Sequence, residues 1–370
     1  MKQTILFVDD DPTLLSGLQR MLRPMRTDWA MTFVSDSSEA VQTMNSTCFD
    51  VVVTDMRMPT VDGAKLLAEV RNLCPHSVRI VLSGQAELEI VLRAVEHAHQ
   101  YISKPCDAEV LKEIIKQACA LKGVISNIAL KDFIAQIRCL PVDSTKYHAV
   151  RAALESGSHD LDELGSLFAA DLGMATKLLQ LVNSSFFTST RAPTCHDAVK
   201  VLGLDLLTEL VLRVGIFADC ETHSVSHLVI SSLNEHSIRA AQLVKEQAQS
   251  AGMAGPELAH YEMAGFLHDV GRLVLATFAR AHYEELSSQH FESWSELLAA
   301  ERQMFGASHQ DVGAYFLRLW GFEEGVVQSA AAHHDDSETD GPFAVVRRIV
   351  NAVDQRVHRD LPVEPVEEKR

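Results

Sequence analysis

Along the first third of this chain, short apolar runs alternate with longer amphipathic stretches. TILFVD (4–9), MTFVS (31–35), DVVVT (50–54), RIVLS (79–83) and QYIS (100–103) are each a few residues long and mostly β-branched or aromatic, which predicts five strands. Between them and after the last, apolar residues return every three or four positions. Leu14, Leu15, Leu18, Met21 and Leu22 form one such stripe, and Val110, Leu111, Ile114, Ile115 and Ala118 another. Asp11 and Pro12 stand where an N-cap and a first helical residue belong. Apolar strands alternating with helices predict a parallel sheet covered on both faces. Residues 1–123 are therefore expected to form an α/β doubly wound five-stranded domain.

From about residue 124 the strand period disappears. Helical patterns run through 161–185, 224–250, 257–267, 308–320 and 323–334, punctuated by Gly, Pro and Asn. They predict an all-α domain over 133–358, reached through a helical linker at 124–132 and followed by a flexible acidic tail at 359–370. The joining stretch GVISNIALKDFIAQI contains no Gly/Ser- or Pro-rich tether. The helix before it is expected either to continue into the second domain or to pack against it.

Composition narrows the class. A chain of 370 residues exceeds one ordinary core, which agrees with two domains. No apolar run approaches the roughly 18 residues needed to span a bilayer. The opening MKQTILFVDDD turns acidic too early for a signal peptide, so a cytoplasmic location is expected, without membrane association. A net charge of −17 argues against direct DNA binding, which needs a basic face. Seven cysteines with no C-x-x-C pair are expected to be reduced thiols.

Chemistry gathers at the C-terminal ends of the predicted strands. Asp9 and Asp10 end the first, Asp55 follows the third, Ser83 ends the fourth and Lys104 follows the fifth. In an open α/β sheet these ends form the ligand crevice. Carboxylates so close repel one another unless a hard cation lies among them, and Mg²⁺ suits an all-oxygen set. With that cation and Lys104 neutralising an incoming phosphoryl group, Asp55 is expected to attack phosphorus and become an acyl phosphate, its oxygens bonded by Ser83. The plainer reading of such acids is a helix cap or a solvated loop, and for Asp11 it is the preferred one.

FVDDD, TDMRMPTVDG, LSG and YISKP together closely resemble the receiver domain of two-component response regulators, over residues 3–122. The resemblance implies a flavodoxin-like fold, a phosphoacceptor at Asp55 and a Mg²⁺ ligand in the backbone carbonyl of Arg57. It also implies that Tyr101 swings inward on activation, a plain core or surface tyrosine being the alternative. A sensor histidine kinase or phosphotransfer protein is the implied partner, and a homodimer is an available assembly.

In the second half, His236 lies on a predicted helix, His268 and Asp269 adjoin in AGFLHDVGRL, His309 opens SHQDVGAYFLRLWG, His333 and His334 close the next helix, and Asp354 follows in NAVD. Imidazoles with one or two carboxylates suit Mn, Fe, Co or Zn, and an adjacent His-Asp pair lets Asp bridge two cations. Any one of these histidines alone is more readily a surface or satisfied core residue, as His223, His227, His260, His282 and His290 are taken to be. DLGMATKLLQLVNSSFF, HDAVKVLGLDLL, AGFLHDVGRLVLA and HQDVGAYFLRLWGF resemble the HDOD (HD-related output) branch of the HD superfamily, over about 133–340. The resemblance maps the ligands of metal-binding relatives onto His236, His268, Asp269, His309, His333, His334 and Asp354, for Mn²⁺, Fe²⁺ or Zn²⁺.

The chain also departs from the catalytic relatives. HHDDSETDGPF lacks the Gly-Tyr-Pro element of the cyclic-dinucleotide phosphodiesterases. Arg272 stands where they prefer Lys, and Ser232 where they have Glu. Two functions remain open: an output that binds a downstream protein or nucleotide ligand, or a metal-dependent phosphodiesterase or phosphohydrolase acting on a nucleotide or cyclic dinucleotide. Both would be gated by Asp55.

Overall fold

The computed structural model describes residues 2–59, 62–84, 92, 95–157, 160–184, 192–220, 225–335, 341 and 343–360. Strands β1 (Gln3–Val8), β2 (Trp29–Val34), β3 (Val51–Asp55), β4 (Val78–Gly84) and β5 (Gln100–Lys104) form one parallel sheet in the order β2-β1-β3-β4-β5. All five predicted strands are there. Successive residues of β1 feed opposite faces, as the pleat requires. Leu6 and Val8 pack with Val34, Met44, Val52 and Leu66, while Ile5 and Phe7 pack with Leu15, Val53, Ile80 and Leu111.

Helices α1 (Pro12–Met21), α2 (Ser37–Ser46), α3 (Gly63–Leu73) and α4 (Ala108–Cys119) flank the sheet. The helix expected between β4 and β5 falls on residues that, apart from Leu92, lie outside the described ones. Asp11, Asp36, Asp62 and Asp107 cap these four helices, each carboxylate accepting from first-turn amides. Such caps are worth about 1 kcal/mol each, so part of the acid excess is structural.

The second half is helical among the described residues: α5 (Ile128–Gln136), α6 (Ser144–Glu155), α7 (Leu161–Ala169), α8 (Leu172–Val182), α9 (Cys195–Thr208), α10 (His227–Ser250), α11 (Gly255–Leu267), α12 (Val270–Phe278), α13 (Arg280–Ser287), α14 (Trp294–Phe305), α15 (His309–Leu319), α16 (Glu324–Ala332) and α17 (Ala344–Asp360). The 161–185 pattern is two helices, broken where Asp171 leaves helical geometry to cap α8 through the Met174 amide at 2.8 Å. Helix α8 is buried along its whole length. Helix α17 runs to Asp360, past the expected start of the tail; residues 361–370 lie outside the described ones. No helix among the described residues is long and apolar enough to cross a membrane.

The joining segment is not one continuous helix. Helix α4 ends at Cys119, residues 120–127 are turn and irregular chain, and Asn127 caps α5, which crosses the expected boundary at 133. The packed alternative is the one observed. Ile125, Leu130 and Ile134 are buried in the same apolar cluster as Leu111 and Ile115 of α4. Polar ties reinforce it. Arg79, buried at the start of β4, donates to the carbonyls of His97 and of Ala135 on α5, both at 2.6 Å, and His99 Nε2 donates to the same Ala135 carbonyl at 2.9 Å. Gln100 Nε2 donates to the Leu319 carbonyl of α15 at 3.0 Å. From α8, Gln180 Nε2 reaches the His99 carbonyl at 2.9 Å and Lys177 Nζ the Val95 carbonyl at 3.4 Å.

One cysteine pair departs from the expectation of reduced thiols: Cys48 is bonded to Cys74, with a Cα–Cα separation of 5.5 Å. Cys139 and Cys220 face each other at a Cα–Cα separation of 6.0 Å. Sequence separations of 26 and 81 residues hid both pairings, because only the folded chain brings these ends together. Cys106, Cys119 and Cys195 are free.

Candidate functional site

The first site lies where β1 and β3 end side by side, at the point where the strand order switches direction. Asp9 and Asp55 are both buried, and Lys104 Nζ donates to Asp9 Oδ2 at 2.8 Å and to Asp55 Oδ1. The Arg57 amide donates to Asp55 Oδ2 at 2.6 Å, and the Asp11 amide to Asp9 Oδ1 at 3.0 Å. Burial raises the Asp55 carboxyl above its ordinary range, with Lys104 opposing. Burial works against the Lys104 ammonium, yet its hydrogen bonds to Asp55 and Asp9 carry it above the usual lysine value. The loop after Asp55 folds back tightly. A Cβ on Gly63 would overlap the Asp55 carbonyl oxygen and lie 2.9 Å from the Met56 Cα.

The other expected residues are distributed around this pair. Asp10 is exposed at the mouth, and Asp11 caps α1 by accepting from the Thr13 amide at 2.8 Å. Ser83 pairs with Ser103 across β4 and β5, one register step before Gly84 and Lys104, and its side chain lies outside the described residues. Tyr101 is 3% exposed, and burial holds its hydroxyl above the usual range. Three neighbouring carboxylates against one ammonium leave an excess of negative charge. That donor set fits a hard divalent cation.

The second site begins with a close helix crossing. A Cβ on Gly271 of α12 would overlap the His309 carbonyl and lie 2.7 Å from the Gly313 amide of α15, so the two backbones nearly touch. This contact sets His268 and Asp269, just before α12, beside His309, the first residue of α15. His333 and His334 arrive from the end of α16, His236 from α10 and Asp354 from α17. All seven candidate residues converge, in two groups of four that share Asp269: one adds His309, His333 and His334, the other His236, His268 and Asp354. His268, Asp269, His309, His333 and Asp354 are wholly buried.

The tautomers follow from the hydrogen bonds. His268 Nδ1 faces the Gly265 carbonyl at 2.7 Å, His333 Nδ1 the Ala330 carbonyl at 3.0 Å, and His309 Nδ1 the Glu301 carboxylate at 2.7 Å. Those oxygens only accept, so each Nδ1 carries the proton. The Nε2 atoms of His309 and His333 then meet lone pair to lone pair at 3.2 Å. Burial lowers the His333 imidazole to about 4 and His334 to about 2, which keeps both neutral. Burial alone would raise the Asp269 carboxyl, but Arg272 and His268 hold it well below the usual range. Both Asp269 oxygens are buried and make no well-aligned hydrogen bond among the described residues, their close contacts being Arg272 Nε at 3.1 Å and His333 Nε2 at 3.2 Å. A metal at tetrahedral Zn–N distances separates its ligand atoms by about 3.3 Å. The spacing of 3.1–3.2 Å between facing Nε2 atoms fits such an ion.

Comparison with known proteins names the two halves. A model of the response regulator receiver domain matches residues 5–116, and one of the HDOD domain matches residues 140–336, more than half of the chain. The chain is a response regulator, a receiver domain fused to an HDOD domain. It is similar to the hydrogenase transcriptional regulatory protein HoxA of Bradyrhizobium diazoefficiens, 33% identical over 32% of this chain and 24% of that protein. It is also similar to the two-component response regulator ORR21 of Oryza sativa subsp. indica, 38% identical over 30% of this chain and 16% of that protein. The chain thus spans about a quarter or less of these relatives' lengths. The MmoQ response regulator of Methylococcus capsulatus shares the fold, with a TM-score of 0.50 and 21% identity over 60% of this chain and 87% of that one.

Around the HDOD centre stand two residues that no sequence motif singled out, Glu301 and Trp294, and two already noted, Arg272 and Ser232. Glu301 of α14 is 2% exposed and grips His309 through both its amide, at 2.8 Å, and its ring. Hydrogen-bonded carboxylates of this kind orient metal-binding imidazoles. The indole of Trp294 lies flat on His334, ring centroids 3.8 Å apart. Arg272 Nε stands 3.1 Å from Asp269 Oδ2. Ser232 of α10 is exposed, so the position where catalytic relatives carry Glu contributes nothing to this centre.

Proposed function

We propose that Asp55 accepts a phosphoryl group from a sensor histidine kinase or phosphotransfer protein and that this event gates the HDOD domain. The observation that carries the reading is Lys104 Nζ shared between the buried carboxylates of Asp9 and Asp55. An Asp55 oxygen attacks phosphorus, the bond from phosphorus to the donor's nitrogen or oxygen breaks, and Lys104 follows the growing negative charge. Mg²⁺, when held by Asp9, Asp10, Asp55 and the Arg57 carbonyl, would supply the remaining neutralisation. Radiolabelled acetyl phosphate with Mg²⁺ should label the full chain, and Asp55→Asn should abolish labelling with unchanged circular dichroism. Equal labelling of that variant would overturn the assignment.

For the HDOD half, the reading is a Mn²⁺-, Fe²⁺- or Zn²⁺-bearing centre that braces the domain while it acts by binding a protein or small ligand. Its support is the enclosure of the ligand set beneath Trp294, which leaves little approach for a substrate. A metal-dependent phosphodiesterase or phosphohydrolase is the second reading, favoured by Asp269 being common to both groups of four. Metal content of the purified chain, followed by turnover assays with cyclic dinucleotides and nucleotides, separates the two. Metal without turnover supports the binding output, and turnover lost in Asp269→Ala supports the hydrolase.

A further inference from the structure

Helix α10 turns Ile238, Ala241, Gln242 and Lys245 to one side, since residues three and four apart share a helix face. On α11, Glu262, Met263 and Phe266 do the same. The two helices pack tightly at Gly265, where a Cβ would come within 2.8 Å of the Val244 side chain. Beyond that contact the small side chains of Ala169 and Ala241 leave room. A cavity of about 380 Å³ opens there between α8, α10, α11 and the start of α9. Leu179, Ile238, Met263 and Phe266 form its apolar walls. Protein interiors rarely hold voids larger than a water, and Ile238 and Phe266 stay partly exposed, so this opening is not a closed core. An ion pair stands in the lining: Lys245 Nζ lies 2.8 Å from Glu262 Oε2, both side chains partly exposed.

We infer that this cavity binds a free α-amino acid with a large apolar side chain. The apolar walls take the side chain, Glu262 the ammonium and Lys245 the carboxylate. A zwitterion fits because it answers both charges at once: entering between them, it replaces one ion pair by two. An apolar acid would leave Glu262 facing a like charge, and an apolar amine would do the same to Lys245. The volume sits at the lower end of the about 300–1,000 Å³ typical of ligand pockets, room for one such molecule and not for a peptide. Helix α10 also carries His236, and α11 leads directly into His268, so a bound molecule braces the two helices that present those imidazoles. The inference deepens the reading of the HDOD half as a binding output, and rests on it, by naming the class of small ligand.

The test is calorimetric titration of the full chain with L-leucine, L-methionine and L-phenylalanine. The comparators are 4-methylpentanoate, 3-methylbutylamine and glycine, which lack in turn the ammonium, the carboxylate and the apolar side chain. Saturable binding of at least one of the three amino acids is expected, at least tenfold tighter than any comparator. Glu262→Gln and Lys245→Met should each weaken it at least tenfold with unchanged circular dichroism, since both side chains are partly exposed. Should either variant lose its fold, the other variant and the comparators decide. Binding of none of the three overturns the inference. So does equally tight binding of 4-methylpentanoate or 3-methylbutylamine, or full affinity in either folded variant. The binding-output reading is judged apart from this, because turnover lost in Asp269→Ala would overturn it whatever the cavity holds.

Discussion

Replacing Lys177 by methionine should stabilise the folded protein at neutral pH and destabilise it in alkali. Lys177 is 2% exposed on α8, its Nζ 2.9 Å from Gln180 Oε1, 3.4 Å from the Val95 carbonyl and 5.0 Å from the Trp320 ring centroid. Burial pulls its ammonium down from 10.5 to about 7, with Glu96 opposing. The unfolded chain therefore holds a proton that the folded chain releases between those two values. Stability contributed by this site falls as pH drops from 10.5 towards 7 and levels off below. At about 1.36 kcal/mol per pH unit the cost reaches roughly 4 kcal/mol at pH 7. Methionine removes that cost at similar volume but leaves Gln180 Oε1 and the Val95 carbonyl short of a donor, about 1–3 kcal/mol. The variant should be more stable by about 1–3 kcal/mol at pH 7, equal near pH 9 and less stable by pH 10.5. Urea denaturation of both proteins at pH 7, 8, 9 and 10 measures the difference. A difference constant across that range would refute the reasoning.

Other consequences are as direct. Glu301→Gln keeps the shape but weakens the grip on His309 Nδ1, and metal affinity of the HDOD centre should fall about 10–100-fold in competition with a chelating dye. Gly271→Ala forces a methyl into the His309 carbonyl, so the melting temperature should drop by the equivalent of about 1–3 kcal/mol, with metal retention reduced. Beryllofluoride with Mg²⁺ should change hydrogen-exchange protection in 128–136 and 172–182, the segments tied to the receiver through Ala135, Lys177 and Gln180. A response confined to residues before 110 would exclude transmission through these contacts.

The receiver was legible because its chemistry sits at strand ends, and the strands announce themselves as apolar runs. Asp9, Asp55 and Lys104 meet for that reason alone. The seven HDOD residues were legible by type, yet which of them fall into one group depends on the Gly271–Gly313 crossing, a backbone contact with no side-chain signature. Glu301 did leave a trace. In Trp294, Leu297, Leu298, Glu301 and Phe305 it occupies the apolar stripe of α14, where a carboxylate needs a buried partner. Lys177 and Gln180 sit likewise within the otherwise apolar LGMATKLLQLV. Their receptors are main-chain carbonyls of Val95 and His99, and backbone acceptors are invisible in a sequence. The two cysteine pairings escaped because their spacing carries no motif.

The Ala135 carbonyl, shared by Arg79 and His99, also decides where the molecule can be divided. A receiver fragment ending at residue 123 would strip two buried donors of their acceptor and bare the apolar face that Leu130 and Ile134 cover. Such a piece should be prone to self-association. One ending near residue 137 carries its own seal. Transplanting this receiver onto a different output domain therefore means moving α5 with it, as a stopper that belongs physically to the first half though it follows the junction in sequence.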